Sequence, residues 1–177
     1  MKTDVIYIDN QGNGFDNVIK DFHKFATYME LDSKESLRLQ LCAEEMLSMV
    51  RSIAGDMKGA FWIESNGQCC EMHLSTKTVM DQEKRYLLIS ATSSRRNEAA
   101  TTFLGKLRDS FERAMLADVS HTDEVPLDVI RDINYHPESS SEWDGYERSV
   151  LRNVADDIKV FIRGSNVELI VMKKLKS

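Results

Sequence analysis

The sequence has 177 residues, of which 42% are hydrophobic and 29% are charged, as in an ordinary soluble globular protein. Its formal net charge of −6 gives no general attraction to nucleic acid or to an anionic membrane, so neither is expected as a partner. Its apolar runs are too short to span a bilayer, and its first residues do not resemble a signal peptide, which together predict one cytoplasmic domain over residues 1–177.

The first predicted element is a short apolar strand over residues 4–8. It leads into the stretch YIDNQGNGFD, where an acid and two spaced glycines are typical either of a phosphate-binding loop or of a strand-to-helix turn. Gly12 and Gly14 adopt a positive φ at little cost, and Asn13 tolerates one. We therefore interpret the stretch as a turn, with a ligand-binding loop as the alternative.

Two amphipathic helices come next. Apolar residues recur at helical spacing from Gly14 to about Glu30, and again from about Lys34 to Ala54. Asp32 or Ser33 is suited to be the N-cap of the second helix, because a short polar side chain can accept hydrogen bonds from the first backbone N–H groups.

After the second helix, the apolar period changes from helical to alternating. Residues 60–75 alternate on either side of Asn66-Gly67, which predicts a hairpin, and the apolar run at 85–92 predicts a third, buried strand. Neighbouring residues in a strand point to opposite faces, so no disulfide is expected between Cys69 and Cys70.

A further helix is predicted over about residues 97–117. Its apolar residues lie on one face: Leu104, Leu107, Phe111, Ala114 and Met115. Residues 118–142 are predicted to be irregular, and a helix over 146–157 and a hairpin turned at Gly164–Asn166 follow. This order predicts an α/β (α+β) fold, a two-layer sandwich with helices on one face of a mixed, mainly antiparallel sheet of five or more strands.

The helix sequence LRLQLCAEEMLSMVRSIAG resembles the motif helix of the GHKL-type ATPases, most closely the anti-sigma-factor serine kinases and the histidine-kinase ATP-binding domains. In that family a glutamate orients or activates water, and an asparagine four residues later holds the magnesium ion that bridges the ATP phosphates. The two share one helical face because they are four residues apart. Glu45 matches the glutamate, but Met49 stands at the asparagine position.

The tail from Gly145 onward resembles the family's second glycine motif, followed by its last helix and hairpin. Gly145 matches the first glycine of that motif, whereas Glu147 replaces the second. The segment at 118–142 occupies the place of the family's mobile ATP lid, but it is long and polar and could cover a vacant pocket.

The family also recognises adenine through the aspartate of an Asp-x-Gly motif at the end of a strand. Aligning the predicted strand at 85–92 onto it places Ala91 at the aspartate and Ser93 at the glycine. A one-residue slip places Thr92 and Ser94 there instead. Neither alignment supplies an acid, so the acceptor for the adenine amino group is missing.

These departures imply a degenerate histidine-kinase-like ATPase domain. A thioether is a poor ligand for magnesium, which prefers oxygen, and Glu147 would repel a triphosphate. The resemblance then implies a regulatory module with little or no ATP hydrolysis and no cofactor, which binds a protein partner or a second copy. The family's binding surface lies around the first strand and the front of the motif helix. The alternative is an unorthodox ATP-binding protein or serine kinase that binds ATP with magnesium.

Two further features allow two interpretations each, and a third is an aromatic pair. Glu44-Glu45 is either a relic of an active site or a solvated step on an amphipathic helix, and the second is favoured. Residues 93–98 form either an anion site through Arg95 and Arg96 or a polar loop with an N-cap, and the loop is favoured. Phe61-Trp62 directs one aromatic ring to the core and the other outward, where it could mark an interface.

Overall fold

The computed structural model describes residues 1–54, 58–119 and 151–175. In these ranges the chain forms, in order, β1 (Ile6–Asp9), α1 (Phe15–Tyr28), α2 (Ser33–Ala54), β2 (Lys58–Ser65), β3 (Cys69–Lys77), α3 (Gln82–Ala91), a 3₁₀ turn (Glu98–Ala100), α4 (Phe103–Val119), β4 (Asp157–Arg163) and β5 (Asn166–Lys174). Residues 151–154 are also helical, in agreement with the last predicted helix.

The five strands form one sheet in the order β1-β2-β3-β5-β4. The prediction of a sheet with five or more strands is therefore confirmed. All four pairings are antiparallel, so the prediction of a mixed sheet is wrong for the described strands. Two of the pairings are hairpins, β2–β3 and β4–β5, and hairpins are antiparallel by construction. The architecture is the predicted α/β sandwich.

One face of the sheet and the apolar faces of α1, α2 and α3 form a continuous core. Its largest fully buried side chains are Phe22, Phe25, Leu39, Met46, Phe61, Ile63, Met72, Leu74, Leu151, Ile158 and Ile162. Phe61 is buried while Trp62 faces outward, which confirms that the two rings point to opposite faces. Cys70 is likewise buried and Cys69 only half-buried, as the alternation predicted.

The turns and caps follow local sequence chemistry. Of the two N-cap candidates for α2, Asp32 is the one used, since its carboxylate accepts a hydrogen bond of 2.7 Å from the backbone N–H of Glu35. In the β2–β3 hairpin, the Asn66 side chain accepts from the N–H groups of Gln68 and Cys69, and Gly67 has a φ of 88°. The predicted hairpin is therefore confirmed.

The predicted strand at 85–92 is wrong, because this segment is helix α3. Asp81 caps the helix by accepting from the N–H of Lys84 at 2.8 Å. Arg85, Leu88 and Ala91 are its buried residues, and their spacing of three places them on one helical face. The apolar run therefore supplies one side of a helix and not a strand buried on both faces.

The predicted helix over 97–117 is divided in two, the 3₁₀ turn and α4, which extends to Val119. The remainder of the predicted irregular segment, residues 120–142, lies outside the described residues, as do Gly145 and Glu147. Among the helices in the described ranges, none combines the length and the apolar character needed to cross a membrane.

Candidate functional site

The glycine-containing stretch after β1 is a closed turn. The Asp9 carboxylate accepts from the N–H groups of Gln11 and Asn13 at 2.9 and 3.0 Å, and from the Asn13 side chain at 2.6 Å. The Asn13 hydrogen bond lowers the pKa of Asp9. Gly12 and Gly14 have φ values of 90° and 87°, and Gly14 occupies the N-cap position of α1. The interpretation as a strand-to-helix turn is confirmed.

The two acids of α2 lie in different environments. Glu44 is exposed and accepts a hydrogen bond from Gln40 at 2.8 Å, whereas Glu45 is half-buried beside the core. Four residues after Glu45, the Met49 side chain is only 3% exposed and belongs to the hydrophobic core. Met49 therefore acts as a packing residue that presents no oxygen atom.

The thiol of Cys42 lies on the same buried face of α2, and burial raises its pKa to about 12. Burial also raises the pKa of Cys70. A thiol reacts as its thiolate, so both should resist modification in the folded protein. We expect one thiol per chain, Cys69, to react with an aromatic disulfide reagent at pH 8, and all three to react in denaturant. The Cys69→Ser variant should show no fast reaction; fast modification of Cys42 in that variant would contradict this assignment.

Thr92 and Ser93 follow α3 and lead the chain along the edge of β4. The Ser93 backbone N–H donates to the Ile158 carbonyl at 3.0 Å, and the Ile158 N–H donates to the Ser93 hydroxyl at 2.8 Å. Thr92 is buried and its hydroxyl donates to the carbonyl of Ile89. Ala91 ends α3 on its buried side. Ser93 therefore protects the edge of β4, and the strand on which the nucleotide-site alignment of these residues was based is absent.

Asn97, four residues after Ser93, also forms hydrogen bonds with both backbone groups of a residue on the edge strand β4. Its side-chain amide donates to the Ile162 carbonyl at 2.9 Å, and its oxygen accepts from the Ile162 N–H at 2.8 Å. The same oxygen caps the 3₁₀ turn by accepting from Ala99. The prediction of a polar loop with an N-cap at 93–98 is confirmed, and Arg95 and Arg96 are exposed.

Asn97 also belongs to a buried polar network that sequence reasoning missed. Its amide donates to the Asp109 carboxylate at 2.7 Å, and that carboxylate is also paired with the guanidinium of Arg85. All three side chains are buried, so the network joins α3, the 3₁₀ turn and α4 beside β4. We call it the Arg85–Asn97–Asp109 network. The only sign of this network in the sequence was an acidic residue, Asp109, on the side of the predicted helix that lies opposite its apolar face.

The apolar face of α4 points away from this network. Leu104, Leu107, Phe111 and Met115 are 75%, 60%, 67% and 58% exposed. We call these four residues the α4 stripe. A helix in a globular protein normally turns its apolar face to the core, whereas α4 turns Asp109 and Glu112 inward. Exposed apolar patches of this kind mark interaction sites.

The outer sheet face carries a second polar cluster. The Trp62 ring stacks on His73 with centroids 4.8 Å apart, and its indole N–H donates to Glu64 at 2.9 Å. Lys2 pairs with Glu64 at 2.8 Å and lies over the indole ring. In the described ranges, no group of three or more His, Cys, Asp and Glu side chains could hold a metal ion.

The sequence matches no protein-family model and no curated protein.

Proposed function

We propose that this protein is a regulatory, protein-binding module built on a degenerate GHKL-type ATPase scaffold, with little or no ATP hydrolysis. The observation that carries the proposal is the burial of Met49 in the core. In the GHKL-type ATPases that the sequence resembles, the residue at this position is an asparagine whose oxygen holds magnesium. A buried thioether supplies neither the hard oxygen ligand nor a polar group directed at solvent.

The topology around β3 supports the same proposal. The resembling family places its adenine-binding Asp-x-Gly at the end of a strand, and β3 is the sheet strand that precedes α3. The residues after it are Thr78, Val79, Met80 and Asp81, with no glycine among them. The Asp81 carboxylate is already used as the N-cap of α3. Glu83 stands two residues after Asp81, so this region carries an acid but no Asp-x-Gly motif.

The proposed partner is a protein chain, either a different protein or a second copy, and the proposed compartment is the cytoplasm. Exposed apolar residues support protein binding both at the predicted surface and elsewhere. Tyr7 on β1 is 80% exposed and Leu37 near the start of α2 is 57% exposed. The net charge of −6 argues against nucleic acid or an anionic membrane as the partner.

Thermal unfolding with millimolar ATP and magnesium tests the proposal. We expect no rise in Tm beyond about 1 °C, because a ligand stabilises only a fold that it binds. Saturation at 100 times Kd would add about 2.7 kcal/mol, which corresponds to a rise on the order of 5–10 °C for a chain of this size. Such a rise would favour the alternative, an unorthodox ATP-binding protein or serine kinase.

Steady-state ATP hydrolysis is a second test of the proposed function. We expect the wild-type protein and the Glu45→Gln variant to show the same background rate, and Met49→Asn alone to restore no activity. The buried site would gain one oxygen ligand but would still lack an Asp-x-Gly motif. Magnesium-dependent turnover by the wild-type protein that is abolished in Glu45→Gln would overturn the proposed function.

A further inference from the structure

We infer that the α4 stripe is the contact surface of a two-fold symmetric dimer, in which α4 packs antiparallel against α4 of a second copy. The inference deepens the proposed function, on which it rests for its regulatory meaning, by naming one partner and one surface. The physical basis is the outward orientation of four large apolar side chains on a helix whose inward face is polar.

Polar contacts on the inward face of α4 determine its orientation, and the apolar side chains of the α4 stripe could not replace these contacts. Asp109 accepts from Arg85 and Asn97 on the inward side, and one turn later Glu112 accepts from the backbone N–H of Gly164 at 3.1 Å. Rotating α4 to bury its leucines would leave buried polar groups without partners, which is costly. The stripe must therefore be covered by something outside this packing or remain exposed to water.

The spacing of the stripe fits a second helix. Leu104, Leu107, Phe111 and Met115 are separated by three, four and four residues, which forms a seam along one side of α4. A two-fold axis near Ser110–Phe111 would place Leu107 of one copy opposite Ala114 of the other. Large side chains then face small ones, and the surface is complementary to itself, as a two-fold interface requires.

The charges beside the seam do not oppose self-association. Arg108 borders the stripe and pairs with Glu112 of the same helix at 2.7 Å, and the opposite border carries Ser110, Ala114 and Ala117. Two copies would therefore meet without bringing unpaired like charges together, although each carries a net charge of −6.

The exposed area of the α4 stripe determines the affinity that we expect for the dimer. The four side chains expose on the order of 500 Å² per copy, so the pair would bury about 1,000 Å² of apolar surface. This lies at the lower end of specific interfaces and predicts a reversible dimer with a Kd in the micromolar range. The mass in solution should consequently depend on concentration.

Sedimentation equilibrium from about 1 µM to 1 mM tests the inference. The mass of the wild-type protein should rise from 20.3 kDa toward twice that value. The double variant Leu107→Glu/Phe111→Glu should weaken association at least 100-fold, because the two-fold axis places introduced carboxylates close to each other and desolvates them. The matched control is Tyr86→Glu, a similarly exposed large side chain on α3, which should leave association unchanged.

Each other outcome overturns the inference. A wild-type protein that stays at 20.3 kDa at every concentration would exclude the dimer. Loss of association in Tyr86→Glu but not in the double variant would place self-association on α3. A large fall in Tm of the double variant, with a monomeric mass for both proteins, would show that the stripe is covered by the same chain. None of these results changes the ATP measurements, so failure of the dimer and failure of the proposed function remain distinguishable.

Discussion

Replacing Asp109 with alanine should lower the free energy of unfolding by about 3–5 kcal/mol, because it removes one partner of a buried ion pair. The Arg85 guanidinium would remain buried without its counter-charge, and the Asn97 amide would lose the acceptor at 2.7 Å. Urea unfolding followed by circular dichroism measures the change. We expect a lower midpoint and an unchanged slope, as for a loss of stability without a change in compactness.

Two variants distinguish the contribution of the buried Arg85–Asp109 ion pair from that of the exposed Arg113–Asp109 pair. Arg113 pairs with the other oxygen of Asp109 at 3.2 Å but is mostly exposed, so Arg113→Met should cost no more than about 1 kcal/mol. The double variant Arg85→Met/Asp109→Leu removes both buried charges and should recover most of the loss. Equal destabilisation by Arg113→Met and Asp109→Ala would contradict a dominant role for the buried pair.

Replacing Gly14 with alanine should lower the free energy of unfolding by about 3 kcal/mol or more. A Cβ at this position would lie 2.2 Å from the backbone carbonyl oxygen of Tyr7, and Gly14 has a φ of 87°, which L-residues rarely adopt. The obstruction is backbone of β1 and not the end of a flexible side chain, so relief requires α1 to move away from β1. Thermal unfolding and urea unfolding both measure the loss.

Gly67→Ala is the matched control for this variant. Gly67 has nearly the same φ, 88°, but a Cβ there has no neighbour within 4 Å. It should therefore show only the cost of the left-handed conformation, roughly 1–2 kcal/mol. If the two variants are equally destabilised, the close approach of Gly14 to Tyr7 has no energetic importance.

Several features followed from the sequence because they depend on neighbouring residues. The Asp9–Asn13 turn, the Asp32 cap and the Asn66-Gly67 hairpin are all confirmed. In each case a side chain bonds a nearby backbone group, or helical and strand periodicity determines the face. That Met49 supplies no oxygen ligand follows from its residue type, but its burial in the core is known only from the structure.

Only the tertiary structure decided between strand and helix for residues 85–92, because a short apolar run fits either. Arg85 within that run pairs with Asp109, 24 residues away, and the edge of β4 is covered by Ser93 and Asn97 instead of by another strand. The sequence also left undecided which face of α4 turns toward the core. Its sequence shows one apolar and one polar face, but the distant partners Arg85, Asn97 and Gly164 determine that the polar face turns inward.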